Sequence, residues 1–513
     1  MKKNYIGIVG GGANGVSIFN ELIYQLSKTS HPHLFIIALY EKSGIFGEGL
    51  AYGTNLNSHI LNMPSNSVSA IGNNPEHFID WLKKQKHLNV NLPNSDGDYV
   101  PRKVFGLYLK DLYGNAKKKA KLLGIDVKIY NEEATDITER DEEILIESSG
   151  KIRIFDQVIL CLGNQPPTLG RDFKGISGYF HHAWPESTIM EKIPNHEDVL
   201  IIGTGLTAID TFITLKEKGH TAKIKMISKR GLLPKVRTLS NDYTLQYFTI
   251  ENIEKITDYG RNNLSLTEVT RLMIHELIAS KADLQLITQA LSLTLKTPLE
   301  ILENDIHNSI FGNNKYFDVL KAIDEIIGDI WNSLSFRDKR FFDVNYKAIW
   351  NSYDYPMPLQ NAQKVKNAMV DGQLFIEKGF QELKYVASKE QFQISRKSNM
   401  IHGAMEVDKA KFVINATGQE YSIIRLESPI IRNALKNGVL CPHPFGGIDV
   451  DFNTCKIRKA NGHYSNRLYA VGSLTRGVHF YTNSINENAK CGKRAIVRLV
   501  QCVQNKSNLK SAV

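Results

Sequence analysis

Cysteine is scarce in this sequence, and no two cysteines form a C-x-x-C pair. The 513 residues include only five cysteines. This odd count argues against a secreted disulfide framework, a zinc ribbon and a redox-active C-x-x-C motif. The histidines are scattered without metal-ligand spacing, so we predict no metal site. A cysteine content of this kind is typical of a reducing compartment, and we expect the cytoplasm.

Long apolar runs are also missing. No stretch approaches the roughly 18 residues that a membrane span needs, and the longest, such as residues 34–40, have the length of a strand. Lys2 and Lys3 before the first apolar stretch imitate the start of a signal peptide, but no small-residue cleavage pattern follows. We therefore expect no membrane partner.

Several functional signatures are absent as well. There is no RNP motif, zinc finger or helix-turn-helix signal, so we expect no nucleic-acid partner. There is no H-E-x-x-H motif and no Ser-His-Asp arrangement. Lys and Arg exceed Asp and Glu by 63 to 53, a net charge of +10. Such a balance steers anionic ligands, although diffuse surface lysine is the simpler interpretation. With 42% hydrophobic and 23% charged residues, the chain is an ordinary globular protein.

A glycine-rich turn follows the first apolar stretch. Residues 5–9 are typical of a buried strand, helical spacing begins after the glycines, and residues 34–40 form a second strand. The turn fits Gly-x-Gly-x-x-Gly, in which the backbone approaches a pyrophosphate at a helix N-terminus. Glu41 follows the second strand, where an acid binds a ribose hydroxyl. The alternative is a purely structural turn. The predicted dinucleotide contacts are Gly10, Gly12, Ala13, Asn14, Gly15, Glu41 and Lys42.

A second unit of the same kind begins about 190 residues later. A strand over 199–202 leads into a glycine turn, a helix to about Lys218 and a strand over 222–227. The second strand is followed by Ser228, Lys229 and Arg230 instead of an acid, which suits a ribose 2′-phosphate and favours NADPH over NADH. The alternative is a set of solvated charges beside a vestigial site. The predicted contacts are Gly203, Gly205, Leu206, Ala208, Ser228, Lys229 and Arg230.

These patterns predict an α/β fold with two Rossmann-like dinucleotide-binding domains and a helical insertion. Between the second unit and the later strands, glycine is scarce and apolar residues recur every three or four positions. A last helix is predicted over about 485–500. The predicted domains are a first domain over 1–165 and 420–513, a second domain over 166–240 and 365–419, and the helical insertion over 241–364, which we expect to cover the cleft and select the substrate.

Two dinucleotide motifs in one chain resemble the two-dinucleotide-binding-domain flavoproteins, in which FAD occupies the first site and the nicotinamide cofactor the second. More closely, the chain resembles the bacterial FAD-NAD(P)-binding family, which includes FAD-dependent urate hydroxylases. The resemblance rests on GEGLAYGT at 47–54, HILNMP at 59–64, IIGTGLTAID at 201–210, SKRGLLP at 228–234 and GSLTRG at 472–477.

The resemblance implies further contacts. Strand-end sequences at 161–163 and 416–418 place Gly163 and Gly418 at the cofactors, and Gly472 with Ser473 follows the final strand, with Ser473 replacing the usual Asp. Asn62 and Met63 are expected near the isoalloxazine ring, and Arg102 near a cofactor phosphate unless it is a surface arginine. Arg476 precedes the final helix and is, with Asn62, the candidate catalytic residue.

A degenerate monooxygenase fingerprint adds to this resemblance. Phe173 and Gly175, followed by His181, His182, Trp184 and Pro185, are similar to F-x-G-x-x-x-H-x-x-x-W-P, although the spacing differs. The alternative is a linker turn with packed aromatics. We therefore predict an FAD-dependent, NADPH-using monooxygenase that hydroxylates a small organic or nitrogenous molecule. The alternatives are an FAD-dependent dehydrogenase or reductase without oxygen transfer, and a non-catalytic flavin-binding scaffold or sensor.

Overall fold

The computed structural model describes residues 3–85, 99–238, 241–282, 296–312, 315–398 and 404–511, with side chains described as far as residue 504. The chain divides into two compact units, residues 1–165 with 420–513 and residues 166–419. Among the described residues, no helix is both long enough and apolar enough to cross a membrane.

The strands in chain order are β1 Asn4–Val9, β2 Phe35–Tyr40, β3 Asp126–Tyr130, β4 Ala134–Arg140, β5 Glu143–Ser148, β6 Lys151–Phe155, β7 Gln157–Leu160, β8 Tyr179–Phe180, β9 Val199–Ile202, β10 Ile224–Ile227, β11 Leu374–Glu377, β12 Phe380–Val386, β13 Gln391–Lys397, β14 Met405–Ala410, β15 Phe412–Asn415, β16 Lys456–Arg458 and β17 Tyr464–Ala470.

The α-helices in chain order are α1 Ala13–Leu26, α2 Gly49–Tyr52, α3 His77–Lys84, α4 Arg102–Leu122, α5 Glu186–Lys192, α6 Leu206–Glu217, α7 Ile250–Ile256, α8 Leu266–Ala279, α9 Pro298–Ile310, α10 Tyr316–Asp324, α11 Ile327–Ser333, α12 Phe336–Asn345, α13 Lys347–Asp354, α14 Leu359–Val370, α15 Pro429–Lys436, α16 Arg476–His479 and α17 Ile485–Ser511.

The first unit is built on a sheet with the strand order β16-β17-β7-β1-β2-β3. The strands from β17 to β3 pair in parallel, and only β16 is antiparallel. Every residue of β2 is buried, because helices and a second sheet cover both faces of a parallel sheet. That burial explains the unbroken apolar run in the sequence. The antiparallel strands β4, β5 and β6 form the second sheet.

The second unit repeats this plan. Its main sheet has the order β11-β10-β9-β15-β8, with every pair parallel. A three-stranded antiparallel sheet, β12-β13-β14, lies between β11 and β15 in sequence, as β4-β5-β6 lies between β3 and β7. Each unit is therefore a strand-helix-strand core with an added antiparallel sheet. The predicted α/β class with two parallel-sheet units is confirmed.

The helices α7 to α14 lie between β10 and β11 in sequence. Leu302 and Ile306 of α9 and Val365 of α14 pack in one buried cluster with Ile201 of β9 and Phe212 of α6. The helical segment therefore shares a hydrophobic core with the second parallel sheet.

A buried carboxylate organises the start of this helical segment. Glu276 of α8 is fully buried, and its two oxygens accept hydrogen bonds from the Tyr243 hydroxyl at 2.6 Å and from the backbone N–H groups of Gln246, Tyr247 and Phe248 at 2.7–2.9 Å. Burial alone would raise the pKa of Glu276, but these donors lower it below the ordinary value. One ionised side chain thus fixes the chain before α7.

We predict that Glu276→Gln lowers the free energy of unfolding by about 2–3 kcal/mol, because an amide accepts fewer of these bonds and turns N–H groups toward the donors. The wild-type contribution is present above the ordinary carboxyl pKa of about 4.3 and is lost as the pH falls through the lower folded pKa. Urea unfolding at several pH values between about 3 and 7, which bracket that pKa, measures the loss of stability in the variant and the pH dependence of the wild type.

The matched control is Glu251→Gln, which removes an exposed carboxylate bonded only to Lys255 on the same helix turn. This control should change the free energy of unfolding far less than Glu276→Gln at every pH, because an exposed pair on one helix contributes little. Equal effects of the two substitutions would show that the buried hydrogen bonds of Glu276 do not stabilise the fold.

Candidate functional site

The first glycine turn is closed by a backbone contact that admits no side chain. Gly10 has φ +107°, and a Cβ atom there would lie 2.1 Å from the carbonyl oxygen of Cys161, which follows β7. A Cβ on Gly15 would lie 1.8 Å from the carbonyl oxygen of Gly10. The chain can therefore turn from β1 into α1 only with glycine at these positions.

The turn leaves the N-terminus of α1 open. Gly12 is the N-cap, no side chain caps the helix, and its first turn, beginning with Ala13, holds no acidic residue. A Cβ on Gly12 would meet only Gly49, at 3.6 Å. Within the described residues, the buried Oδ1 atom of Asn14 accepts no hydrogen bond. Free N–H groups at a helix N-terminus bind phosphate, so these residues fit a dinucleotide.

Glu41 is fixed beside this turn. One carboxylate oxygen accepts a hydrogen bond from the Gly11 N–H at 2.8 Å, and the other accepts from the N–H and hydroxyl of Ser43 at 3.0 and 2.8 Å. The carboxylate thus lies at the end of β2, where a ribose is expected. Lys42 is exposed, and its ammonium lies 3.4 Å from the carboxylate of Glu133. The structure therefore gives Lys42 a surface partner.

Distant parts of the sequence meet at the same turn. A Cβ on Gly472 would lie 2.3 Å from Nδ2 of Asn14, so this glycine packs against the start of α1. The buried Ser473 hydroxyl donates a hydrogen bond to the carbonyl oxygen of Gly163 at 2.7 Å. Gly163 itself has open space where a side chain would stand. The structure therefore brings together three of the residues that the family resemblance implied.

Arg102 anchors the segment that contains Asn62 and Met63. Its Nε atom donates to the carbonyl oxygen of Ile60 at 3.1 Å, and its backbone N–H donates to that of His59 at 2.7 Å. Met63 packs against the core, and Asn62 is half-buried. These contacts give Arg102 a structural task, and a phosphate contact for it stays a prediction.

Arg476 is a buried cation stacked on an aromatic ring. Its guanidinium carbon lies 4.4 Å from the centroid of Tyr421, and the residue is 7% exposed. The Tyr421 hydroxyl in turn donates to Oδ1 of Asn483 at 3.1 Å. A cation over an aromatic face is held in place by the ring quadrupole, so a fixed positive charge lies within the segment that follows β17.

The second glycine turn repeats the geometry of the first. Gly203 has φ +122°, and a Cβ there would lie 2.4 Å from the carbonyl oxygen of Ala416, which follows β15. Gly205 is the uncapped N-cap of α6, which starts at Leu206 and has no acidic residue in its first turn. A Cβ on Gly205 or on Gly418 would meet nothing within 4 Å. The buried Ala208 stands at the third position of the motif.

The residues after β10 are partly fixed and partly exposed. The Ser228 hydroxyl lies 3.0 Å from that of Thr204 in the glycine turn and accepts from the Gly231 N–H at 2.9 Å. Lys229 and Arg230 are exposed, and Arg230 donates to the carbonyl oxygen of Asn345 at 2.8 Å. The turn is thus flanked by two cations instead of a carboxylate.

The residues of the degenerate fingerprint take part in packing and turn formation. The ring of Phe173 packs edge-on against Tyr179 and Phe392, with centroids 5.6 and 6.0 Å apart. Nδ1 of His182 lies 3.2 Å from the carbonyl oxygen of Trp184, and burial lowers the pKa of His182. The linker alternative therefore gains support for Phe173 and His182.

Sequence reasoning missed a clamp on the segment after Asn62. Asn486 in the first turn of α17 accepts from the Ser69 N–H and donates to the carbonyl oxygen of Ser67, both at 2.7 Å. No local pattern marks this asparagine, since its partners lie more than 400 positions away.

For metals, the described residues contain no group of three His, Cys, Asp or Glu placed to hold an ion.

Comparison with known proteins places these turns in a family context. Residues 7–165 match a family model described as FAD-NAD(P)-binding. No curated protein matches the chain. The solved structures that share its fold over nearly the whole length include three N-hydroxylating or monooxygenase enzymes, each at low identity.

The first is ornithine hydroxylase from Pseudomonas aeruginosa, at 15% identity and a TM-score of 0.59, covering 98% of this chain and 99% of that one. The second is the FAD-bound cadaverine monooxygenase from Erwinia amylovora, at 11% identity and 0.57, covering 97% and 94%. The third is an ornithine N-hydroxylase from Kutzneria sp. 744, at 12% and 0.57, covering 99% and 100%. Residues 7–165 thus match the FAD-NAD(P)-binding family, and the chain shares its overall fold with these three hydroxylating enzymes.

Proposed function

We propose that this protein is an FAD-dependent monooxygenase that uses NADPH to hydroxylate a small nitrogen-containing molecule. The observation that carries the proposal is the pair of open glycine turns with opposite charge beside them. Glu41 stands beside the first turn, and Lys229 with Arg230 beside the second. A carboxylate suits a ribose hydroxyl, and cations suit a 2′-phosphate.

Each cofactor has a proposed set of contacts. The N–H groups at the start of α1 hold the FAD pyrophosphate, and Glu41 accepts hydrogen bonds from the adenosine ribose. The N-terminus of α6 holds the NADPH pyrophosphate, and Arg230 binds the 2′-phosphate. When bound, FAD supplies the redox chemistry by accepting a hydride from NADPH and activating O₂. The helical insertion at 241–364 is proposed to select the substrate.

The remaining site residues are proposed to stabilise charge at the flavin site and to shape its pocket. Arg476 provides a positive charge that is already fixed by Tyr421, so no reorganisation is needed when negative charge develops nearby. Asn62 and Met63 are proposed to line the site of the isoalloxazine ring. The hydrogen bonds of Arg102 and Asn486 fix the segment around these two residues. The nitrogenous substrate class is supported by the fold likeness to two ornithine hydroxylases and a cadaverine monooxygenase.

We predict that the FAD-loaded protein, given NADPH and isotope-labelled O₂, places one labelled oxygen atom on a small amine. Ornithine, lysine and cadaverine are the first substrates to test, and mass spectrometry of the hydroxylamine product is the measurement. Substrate-dependent NADPH consumption that never transfers the label would instead favour a reductase. Protein that takes up no FAD on reconstitution would contradict the proposal.

Two alanine substitutions separate the cofactor sites. Gly205→Ala places a methyl group in open space, and the methyl group of Gly12→Ala makes an ordinary contact with Gly49 at 3.6 Å. Both positions have backbone angles that alanine adopts, so both variants should unfold at the wild-type temperature. Gly12→Ala should weaken FAD binding by about tenfold or more, because the methyl group lies where the pyrophosphate approaches the backbone. Gly205→Ala should retain FAD and weaken NADPH binding by a similar factor.

Equilibrium dialysis for FAD and fluorescence titration for NADPH measure these affinities. Each variant is the control for the other, since both add the same methyl group at an equivalent N-cap. If both variants lose the same cofactor, the assignment of one cofactor to each turn is wrong.

The preference for NADPH tests the role of Arg230. Arg230→Ala should raise the Michaelis constant for NADPH by about tenfold or more and leave that for NADH nearly unchanged, because only NADPH carries the phosphate that the guanidinium binds. Lys223→Ala is the control, since Lys223 is an exposed cation at the opposite end of β10. Equal changes for both nucleotides would rule out the phosphate contact.

A further inference from the structure

Two cysteines far apart in sequence meet inside the first unit. Cys455 ends a turn in which Asp451 accepts hydrogen bonds from the N–H and hydroxyl of Thr454 at 2.7 and 2.6 Å. Cys455 is fully buried and has φ +58°. A left-handed backbone is strained for a residue with a Cβ, and glycine or asparagine adopts it more readily. A cysteine here therefore points to a task for its thiol.

The partner thiol lies on α17. Cys491 is 8% exposed, and the sulfur of Cys455 lies 3.7 Å from its carbonyl oxygen. The two side chains also lie close enough for each thiol to shift the pKa of the other. Two cysteines that lie this close in space meet the first requirement for a disulfide, which is proximity.

Two cationic groups surround the pair. Nη2 of Arg494, one turn further along α17, lies 3.3 Å from the Cys491 sulfur. Nε2 of His479 lies 3.9 Å from the Cys455 sulfur, and its Nδ1 lies 3.0 Å from the Thr475 hydroxyl. Burial alone would lower the pKa of His479, but the Cys491 sulfur raises it overall.

The surroundings divide the roles of the two sulfurs. The hydrogen bond from the Cys455 thiol, with His479 and Arg494, lowers the pKa of Cys491 well below the ordinary thiol value. The same hydrogen bond, together with burial, raises the pKa of Cys455. Cys491 is therefore the thiolate and Cys455 the protonated neighbour, which is the arrangement of an attacking and a resolving cysteine.

We propose that Cys455 and Cys491 form a dithiol that hydrogen peroxide oxidises to a disulfide. The Cys491 thiolate attacks one peroxide oxygen, the O–O bond breaks, and a sulfenic acid and hydroxide form. The Cys455 sulfur then attacks the Cys491 sulfur, the S–O bond breaks, and water leaves. In sum, two thiols and one peroxide give one disulfide and two waters.

Burial selects the oxidant. Both sulfurs lie in the core, so the proposal requires an oxidant about as small as water, and a peptide disulfide such as oxidised glutathione is too large. The disulfide would tie the turn at 451–455 to α17. His479 contacts the Cys455 sulfur and belongs to the helix that follows Ser473. The disulfide would therefore form next to that helix.

The other three cysteines are internal controls. Cys441 is half-buried, with its thiol 3.8 Å from the Pro442 carbonyl oxygen. Burial among apolar side chains raises the pKa of Cys161 to about 12. Cys502 is half-buried on the same helix as Cys491. Within the described part of the chain, none of the three hydrogen-bonds another cysteine.

The test is peptide mapping of the full-length protein after treatment with hydrogen peroxide or oxidised glutathione, with free thiols alkylated on unfolding. With peroxide, the expected result is a linked Cys455–Cys491 peptide that thiol reductants cleave, formed about tenfold or more faster than any oxidation of Cys441. With oxidised glutathione, both cysteines should remain alkylatable. Alkylatable Cys455 and Cys491 after peroxide has oxidised Cys441 would overturn the proposal.

A variant separates the two roles. In Cys455→Ser, peroxide should leave Cys491 as a sulfenic acid that dimedone traps, because no resolving thiol is present. Cys502→Ser is the matched control and should still form the disulfide. Dimedone labelling of Cys491 that is equal in Cys455→Ser and in the wild type would also overturn the proposal, and the wild-type map decides if Cys455→Ser does not fold.

Discussion

The structure depends on one backbone contact that occurs twice. In each unit, the glycine that directly follows the first strand of the motif packs against a carbonyl oxygen that follows the neighbouring parallel strand. That oxygen belongs to Cys161 in one unit and to Ala416 in the other. A Cβ at Gly10 or Gly203 would overlap that oxygen. Because the two backbones touch, the chain turns sharply into a helix whose N-terminus stays uncapped. Both proposed pyrophosphate contacts depend on that opening.

The two units repeat more than the glycine turn. The orders β17-β7-β1-β2-β3 and β8-β15-β9-β10-β11 correspond strand by strand, and both units insert an antiparallel three-stranded sheet before the strand that contacts the turn. The two units differ in the side chains that follow the second strand of the motif. These are the carboxylate of Glu41 after β2 and the segment 228–230 after β10. One backbone plan thus presents two different binding surfaces, which is the basis for assigning different dinucleotides to them.

Local patterns predicted the parts of the fold that depend on neighbouring residues. The strands before both glycine turns, the start of α1 and the end of α6 follow the hydrophobic spacing within about two residues. The last helix, predicted to end near 500, extends to Ser511, and the buried Val503 continues its apolar face past residue 500. The residues grouped by family resemblance, such as Gly163, Gly472 and Ser473, do meet in space, and their contacts with cofactor stay a prediction.

Long-range contacts were beyond sequence reasoning. The Asn486 clamp, the Tyr421 ring under Arg476 and the meeting of Cys455 with Cys491 join residues that share no local motif. Arg102 and Lys42 show the converse, since both were predicted to contact a cofactor and the structure also gives each of them a protein partner. A charged side chain has many possible partners, and only the fold determines which of them it reaches.

The central claim is that electrons pass from a nucleotide at the second glycine turn to FAD at the first. Anaerobic mixing of the FAD-loaded protein with NADPH, followed by visible absorption, tests it most directly. The account predicts loss of the oxidised-flavin band with one NADPH consumed per flavin, and faster loss with NADPH than with NADH at equal concentration. A flavin band that NADPH leaves unchanged would contradict it.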